Sequence, residues 1–314
     1  MILLTGSTGF IGKALSQRLS NSGNKFITLS KGASNNNDKG ETHYSLDIND
    51  DCEWVDVLAG VQTVVHAAGK AHVELNSSNK NEFIETNLIS TLKFAKEAAA
   101  LGVHRFIYLS TVNINGIVSD NLVTELDPVA PIDCAAELKL EVEEALMDLS
   151  SETGMKIVII RPPLVYGAGV KANFLNLLKL SNTGLPLPFG LVNNKRSMVY
   201  VENLVDFIIH CIDHPSAANQ TFLISDGEDL SLKSLITYIR KAMGKSPLLL
   251  SVPVFLFKLA GKLTGKSGVV DRLVGDLQID SSKARELLDW KPPYTMEQGI
   301  QATVDSFLEN NKQD

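Results

Sequence analysis

Gly6, Gly9 and Gly12 stand three residues apart in Gly6-Ser-Thr-Gly9-Phe-Ile-Gly12, between an apolar run at 2–4 and a segment of helical period at 11–19. Backbone free of side chains turns tightly and comes close to a pyrophosphate, while the first turn of a helix offers that anion unpaired N–H groups. This places Gly6, Thr8, Gly9, Phe10, Ile11 and Gly12 around a phosphate. A glycine triplet alone is a weak signal, and a ligand-free turn is its plain alternative. The strand before it and the helix after it are the context the motif requires.

Two further positions bear on the same ligand. An NAD site usually carries an acidic residue about 20 residues past the glycines, where it binds the ribose 2′-hydroxyl. The strand at 26–29 ends instead in Ser30-Lys31, a hydroxyl and a cation suited to a 2′-phosphate. That leans the reading from NAD towards NADP, with a merely solvated lysine as the alternative. Asp47-Ile48, after the next strand, is placed to accept from an adenine amino group, with a surface aspartate as its alternative.

The elements that must position these groups alternate. Short, often β-branched runs at 2–4, 26–29, 63–65, 106–109 and 157–160 read as strands buried on both faces of a parallel sheet. Segments at 11–19, 83–100 and 137–149 have helical spacing, and 199–212 followed by 221–224 continues the alternation. The pattern implies right-handed crossovers and a doubly wound sheet. Beyond Ser225 the texture changes to helices at 230–243 and 296–309 with a Lys-rich link at 261–266, while 34–39 is a polar loop.

Composition narrows the function classes. The 314 residues are 44% apolar and 21% charged, which excludes disorder, collagen-like repeats and a coiled-coil rod. With 29 basic and 36 acidic residues the net charge is −7, against a nucleic-acid binder built on bulk positive charge. Cys52, Cys134 and Cys211 lack the paired spacing of a zinc site or disulfide framework, so no metal and a reducing, cytoplasmic compartment are expected. MILLTG at the start reads as a buried strand and not as a signal peptide. The stretch 254–266 sets Phe255, Leu256, Leu259 and Leu263 beside Lys258, Lys262 and Lys266, which allows a membrane-surface reading; it is taken as a substrate-region helix with solvated lysines.

Together, the glycine motif, His66-Ala67-Ala68-Gly69, Asn87, Leu109-Ser110-Thr111 and Arg161-Pro-Pro-Leu-Val-Tyr-Gly167 resemble the extended short-chain dehydrogenase/reductase family over residues 1–293. The narrower resemblance is to its NAD-dependent nucleotide-sugar epimerase/dehydratase branch. Within that branch it is greatest to bacterial enzymes acting at C4 of UDP-linked N-acetylhexosamines, the 4-epimerases and 4-ketoreductases of surface-polysaccharide pathways. The resemblance implies a Rossmann-type fold and NAD or NADP held also by His66, Ala67, Ala68, Gly69, Asn87 and Lys139. It further implies a UDP-sugar substrate, no nucleic acid, and a homodimer formed through the helices at 83–100 and 137–149.

In that family a Ser or Thr, a Tyr and a Lys share the chemistry, with the last two spaced Y-x-x-x-K. The resemblance assigns Thr111 and Lys139 to the hydroxyl and the lysine, and puts Ala135 where the tyrosine is expected and Leu138 where a serine is common. Alanine moves no proton, and general acid/base catalysis contributes about 10²–10⁴-fold. Neither Cys134 nor Glu137 shares a helix face with Lys139 at three- or four-residue spacing, so the open route is Lys139 acting through a water.

The resemblance also implies substrate contacts. Asn173-Phe174 matches an amide-bearing turn on the UDP diphosphate, and Pro188 and Phe189, within 186–190, match a strand lining the uracil. Arg196 and Arg272 match a pyrophosphate clamp, for which the guanidinium fork is suited, and Asp276 would orient Arg272 or a ribose hydroxyl. For each arginine alone a surface ion pair is the alternative. His66 is expected to pack near the nicotinamide without catalysing, and neither it nor His72 has a metal-like partner four residues on.

The expected architecture is α/β: a Rossmann-type doubly wound parallel sheet from residues 1–170 and 197–225, and a smaller C-terminal substrate-binding region from 171–196 and 226–314. The expected activity is hydride transfer at C4 of a UDP-hexose or UDP-N-acetylhexosamine. The rival expectation is a catalytically silent protein that binds dinucleotide and nucleotide sugar.

Overall fold

The computed structural model describes residues 1–23, 25–31, 41–50, 53–70, 79–116 and 121–311. Cys52, His72 and the polar loop at 34–39 lie outside them. Apolar runs without polar alternation become strands covered on both faces. Every residue of β2 (Phe26–Ser30) is buried, and so is every residue of β4 (Thr63–His66) and β5 (Arg105–Leu109). With β1 (Ile2–Thr5), β3 (Glu41–Ser45), β6 (Lys156–Arg161) and β9 (Gln220–Leu223) they form a seven-stranded parallel sheet in the order β3-β2-β1-β4-β5-β6-β9.

The register aligns the strand ends. Thr5 lies level with Leu29 on one side and His66 on the other, and His66 with Tyr108. From β1 the chain runs outward to β2 and β3, then returns to β4 on the opposite flank. A crevice therefore opens beyond the carboxyl ends of β1 and β4, the place where open α/β sheets bind ligands.

Helices cover both faces. On one, α1 (Phe10–Asn21) and α7 (Val201–Asp213) contribute Leu15, Leu19, Leu204, Phe207 and Ile208 to a buried cluster. The short α2 (Val55–Leu58), then α4 (Thr91–Ala100) and α5 (Cys134–Thr153), cover the other with Val57, Phe94, Val142 and Leu146. Asp133 caps α5 by accepting from Ala136 N at 2.9 Å, and Gly154 ends it in a left-handed conformation.

A second sheet joins β7 (Leu164–Tyr166), β8 (Arg196–Tyr200) and β10 (Asp229–Leu230) in the order β10-β8-β7. Its side chains share a cluster with α6 (Ala172–Asn182), α8 (Leu232–Ala242) and α12 (Met296–Asn310). The remaining helices are α9 (Val254–Leu263), α10 (Ser267–Val274) and α11 (Ser282–Leu288).

β7 and β8 pair with each other and with β10, and Tyr166, Met198 and Tyr200 share a buried cluster with α12. Within the unit at 199–212, Val199 and Tyr200 complete β8 and the rest lies in α7. One sequence expectation needs correction. The single helix at 83–100 is three pieces: α3 (Lys80–Ile84), a π-helical turn (Glu85–Ser90) and α4. The Thr91 hydroxyl donates to Thr86 O at 3.1 Å across that wide turn, and such bulges re-aim the side chains they carry.

Candidate active site

The glycine turn is built for contact between backbones. Gly6 has φ +72°, and a Cβ there would come within 2.7 Å of the Ala67 carbonyl and Ala68 N. A Cβ on Gly12 would lie 2.1 Å from Gly6 O. The β1–α1 turn thus rests on the turn after β4. Gly9, the N-cap, offers no side chain, and Lys13 N makes the first intrahelical bond, to Gly9 O at 2.9 Å. The N–H groups of Phe10, Ile11 and Gly12 precede that bond and carry the positive end of the helix. A dinucleotide pyrophosphate fits this cradle. Thr8 and Phe10 also border a cleft of about 190 Å³ with Lys13, Gly169 and Lys171, while Ile11 packs inward, so its contribution is its backbone.

His66 is no ligand-facing group. It is 1% exposed, and burial, reinforced by the Lys139 charge, lowers its pKa to about 3. Its partners identify the tautomer. Thr91 Oγ1 already donates to Thr86 O, so His66 Nε2–H donates to Thr91 Oγ1 at 3.1 Å. His66 Nδ1 therefore accepts from the Thr5 hydroxyl at 3.0 Å, and Thr5 Oγ1 accepts from Ala68 N at 3.1 Å. This chain ties β1, the 66–69 turn and the π-turn together, and it occupies both ring nitrogens of His66 within the protein.

Asn87, carried by the π-turn, is likewise used within the protein. It accepts from Lys70 N at 2.8 Å and donates to Lys70 O at 3.1 Å, bracing the loop after Ala67, Ala68 and Gly69. Lys31 forms an ion pair with Asp47, so two residues read separately act on one another. Asp47 also accepts from Asn49 N at 3.1 Å, while Ser30 and Ile48 are buried.

The residues expected to react lie near the carboxyl end of β5. Thr111 caps a 3₁₀ turn (Val112–Asn115) by accepting from Asn113 N at 3.2 Å. Ala135 and Lys139 lie one turn apart on α5, and Lys139 Nζ donates to Leu109 O at 2.7 Å, 4.9 Å from the centre of the Tyr108 ring. Burial lowers the Lys139 pKa to about 8, opposed by the charge of Glu143. Tyr108 cannot stand in for the missing ring: it is 3% exposed and burial drives its pKa upward. Ser110 Oγ is buried with no partner among the described residues.

Sequence reasoning missed what holds α5 in place. Arg161 on β6 grips Glu143 with Nε at 3.1 Å and Nη2 at 2.5 Å and reaches Asn115 Oδ1 at 3.1 Å. The signal, an acid four residues after Lys139, was visible but had no partner in a linear reading. Tyr166 OH donates to Asp226 at 2.7 Å, and Asp226 accepts from Asn203 Nδ2 at 2.7 Å, joining the two sheets.

At the sugar end, Arg196 is half-buried and its Nη1 donates to Gly275 O at 3.1 Å. Burial lowers its pKa; Asp276 opposes and Arg272 reinforces that shift, so the three expected residues are electrostatic neighbours. Asp276 itself accepts from Lys195 N at 2.7 Å. Asn194, which the sequence did not mark, fastens α10 by donating to Leu273 O and Gly275 O at 3.3 and 3.0 Å. The segment after α10 then pairs with the loop leading to α5, Val123 N donating to Gln278 O at 2.8 Å.

Two expectations change here. Asn173 is exposed in the first turn of α6, but Phe174 is 2% exposed and stacked on Tyr166, so its ring is core. The 186–190 segment is not a strand: it holds one bridge, Leu187 to Leu249, because Pro186 and Pro188 remove donors. Arg240, fully buried, clamps that loop through Leu185 O and Leu248 O, and Phe189 stacks on Phe257.

Comparisons with known proteins agree with this geometry. The model of the NAD dependent epimerase/dehydratase family matches residues 2–225. A UDP-glucose 4-epimerase of Vibrio cholerae is 43% identical over 316 residues, covering 99% of this chain and 96% of that protein. An N-acetyl-α-D-glucosaminyl-diphospho-ditrans,octacis-undecaprenol 4-epimerase of Escherichia coli O157:H7 is 25% identical, covering 100% and 97%. The crystal structure of the Thermotoga maritima UDP-glucose 4-epimerase with UDP-glucose superposes with a TM-score of 0.80 at 23% identity, covering 99% of each chain. That of a Bacillus cereus UDP-glucuronic acid 4-epimerase with NAD gives 0.80 at 20%, covering 98% of each. The chain belongs to the NAD-dependent epimerase/dehydratase family of extended short-chain dehydrogenases.

Proposed function

We propose that the protein transfers a hydride at C4 of a UDP-hexose or UDP-N-acetylhexosamine, as a 4-epimerase or 4-ketoreductase, with Lys139 supplying the proton that a tyrosine would otherwise supply. The observation that carries this reading is the placement of Lys139. It lies on α5 one turn from Ala135, bonded to the carboxyl end of β5, with a pKa of about 8, and the glycine cradle follows β1 two strands away in the same sheet.

The dinucleotide, when bound, supplies the hydride donor and acceptor. The remaining tasks belong to the chain. Gly6, Gly9 and Gly12 admit the pyrophosphate, and the first N–H groups of α1 meet its charge. Lys139, with a pKa close to working pH, donates a proton to the C4 oxygen as its ammonium and accepts one as its amine, through water in the room left by the Ala135 methyl. Thr111 orients that oxygen, its own hydroxyl being far too weak an acid to act alone. Arg196 and Arg272 hold the diphosphate by charge-assisted hydrogen bonds. The 43%-identical UDP-glucose 4-epimerase of Vibrio cholerae supports the substrate class. The reading includes a homodimer through the helices at 83–100 and 137–149, which sedimentation checks.

On the cofactor, Lys31 must leave Asp47 to meet a 2′-phosphate. Opening that pair, whose lysine is exposed and whose aspartate is 19% exposed, costs about 0–1 kcal/mol and offsets part of what the phosphate contact gains, so NADP is expected to be favoured over NAD only slightly. Ala135 favours the second reading, a silent binder of dinucleotide and nucleotide sugar. One assay separates the two: NADPH and a UDP-4-keto-N-acetylhexosamine are mixed with the protein and with Ala135→Tyr, and loss of the reduced-nicotinamide absorbance is followed. Turnover by the natural chain, rising about 10²–10⁴-fold in the variant, is the expected result. Silence from both here and in a UDP-sugar 4-epimerisation assay, with dinucleotide still bound, favours the binder or a different sugar.

A further inference from the structure

Helix α9 presents apolar residues on the side away from the protein. Val254, Phe257 and Gly261 face inward: Phe257 stacks on Phe189, and Gly261 is buried where an added Cβ would come within 2.7 Å of Val270. At about 100° per residue, Phe255, Leu256, Leu259 and Leu263 fall within one arc on the opposite side. They are 64%, 42%, 50% and 78% exposed. The adjoining α10 adds Val269 and Leu273, one turn apart and also exposed, while Val270 and Val274 face inward. Scattered exposed leucines are ordinary, but a contiguous apolar surface marks an interaction.

The charges beside it say with what. Lys258 and Lys262 flank the stripe one turn apart, Lys266 sits in the turn to α10, and all three are exposed. Residues 247–270 contain no acidic residue, in a chain whose net charge is −7. A second copy on this face in a symmetric dimer would bring like patches together, setting lysines against lysines. We infer that the outer face of α9 and α10 docks on an anionic lipid bilayer, with Phe255, Leu259 and Leu263 entering the acyl boundary and the three lysines meeting lipid phosphates. No helix among the described residues is long and apolar enough to cross a membrane, so the contact is peripheral.

Cosedimentation with vesicles tests this. The protein is expected to partition onto phosphatidylglycerol–phosphatidylcholine vesicles at low salt, to bind pure phosphatidylcholine poorly, and to be released as salt shortens the screening length. Phe255→Ser/Leu259→Ser/Leu263→Ser and Lys258→Glu/Lys262→Glu are each expected to weaken binding at least about tenfold. Far-UV circular dichroism and thermal melting check folding, and the lysine variant serves if the apolar one fails to fold. Failure of the natural chain to bind the anionic vesicles overturns the inference, as does undiminished binding by the variants. Conversion of a dimer to a monomer by the apolar variant assigns the face to a second copy and overturns it equally.

Discussion

Gly12 in the first turn of α1 and Gly261 in α9 are both buried where no larger residue fits, yet they serve opposite ends. Around Gly12 the apolar Leu15 and Leu19 of α1 turn inward, and Lys13 and Gln17 are the exposed side chains. Around Gly261 the close contact only fastens α9 to α10, and the large apolar side chains point out. Amphipathic period tells which residues share a face; it does not tell whether the protein itself covers that face. The first end is a rigid scaffold whose parts are consumed within the fold, the second a surface left open.

That contrast can be broken most forcefully at Glu143. Replacing it with Leu leaves the Arg161 guanidinium buried without its partner, at an expected cost of about 3–5 kcal/mol in urea unfolding. The milder Glu143→Gln removes a charge that raises the Lys139 pKa, so the inflection in rate near pH 8 is expected to move to lower pH. An unchanged profile would detach Lys139 from the proton transfer.

His66 supplies the next effect. Its folded pKa of about 3 lies below its ordinary 6.5, so the unfolded chain takes up a proton that the folded chain refuses. The stability this contributes is present above about pH 6.5 and is lost as pH falls towards 3, at roughly 1.4 kcal/mol per unit. Between pH 6.5 and 5 the natural protein is expected to lose about 2 kcal/mol from this group, a slope that His66→Gln flattens.

Smaller effects sharpen the other side of the comparison. Lys31→Ala is expected to change the ratio of NADPH to NADH affinity by less than about tenfold, as suits an exposed pair. Phe255→Ser should alter folding stability by no more than about 0.5 kcal/mol, because the ring is mostly in water already. A large loss there would mean that the α9 face is packed within the fold.

Much of the first end was legible in the sequence because its signals are local. A glycine motif between strand and helix, and unbroken β-branched runs, depend on a few neighbouring residues, and the doubly wound parallel sheet follows from their alternation, though its strand order does not. Ala135 and Lys139 could be paired by counting one helical turn. What counting could not supply were contacts between distant segments: Arg161 with Glu143, Asn194 with Gly275, Asp226 with Tyr166. For the same reason counting could not show that the Phe174 ring is buried against Tyr166 or that both His66 nitrogens have partners within the protein.

The amino-acid sequence by itself thus determined the parallel sheet, its glycine turn, an alanine four residues before Lys139 and the period of the apolar residues in α9. Only the tertiary structure decided that Lys31 faces Asp47, that burial brings Lys139 to a pKa of about 8, and that the leucines of α9 meet solvent. Backbone turns and periodicity are set by the steric and hydrogen-bonding demands of adjacent residues. Burial and ion pairing depend on which distant surfaces come together, and that exists only once the chain has folded.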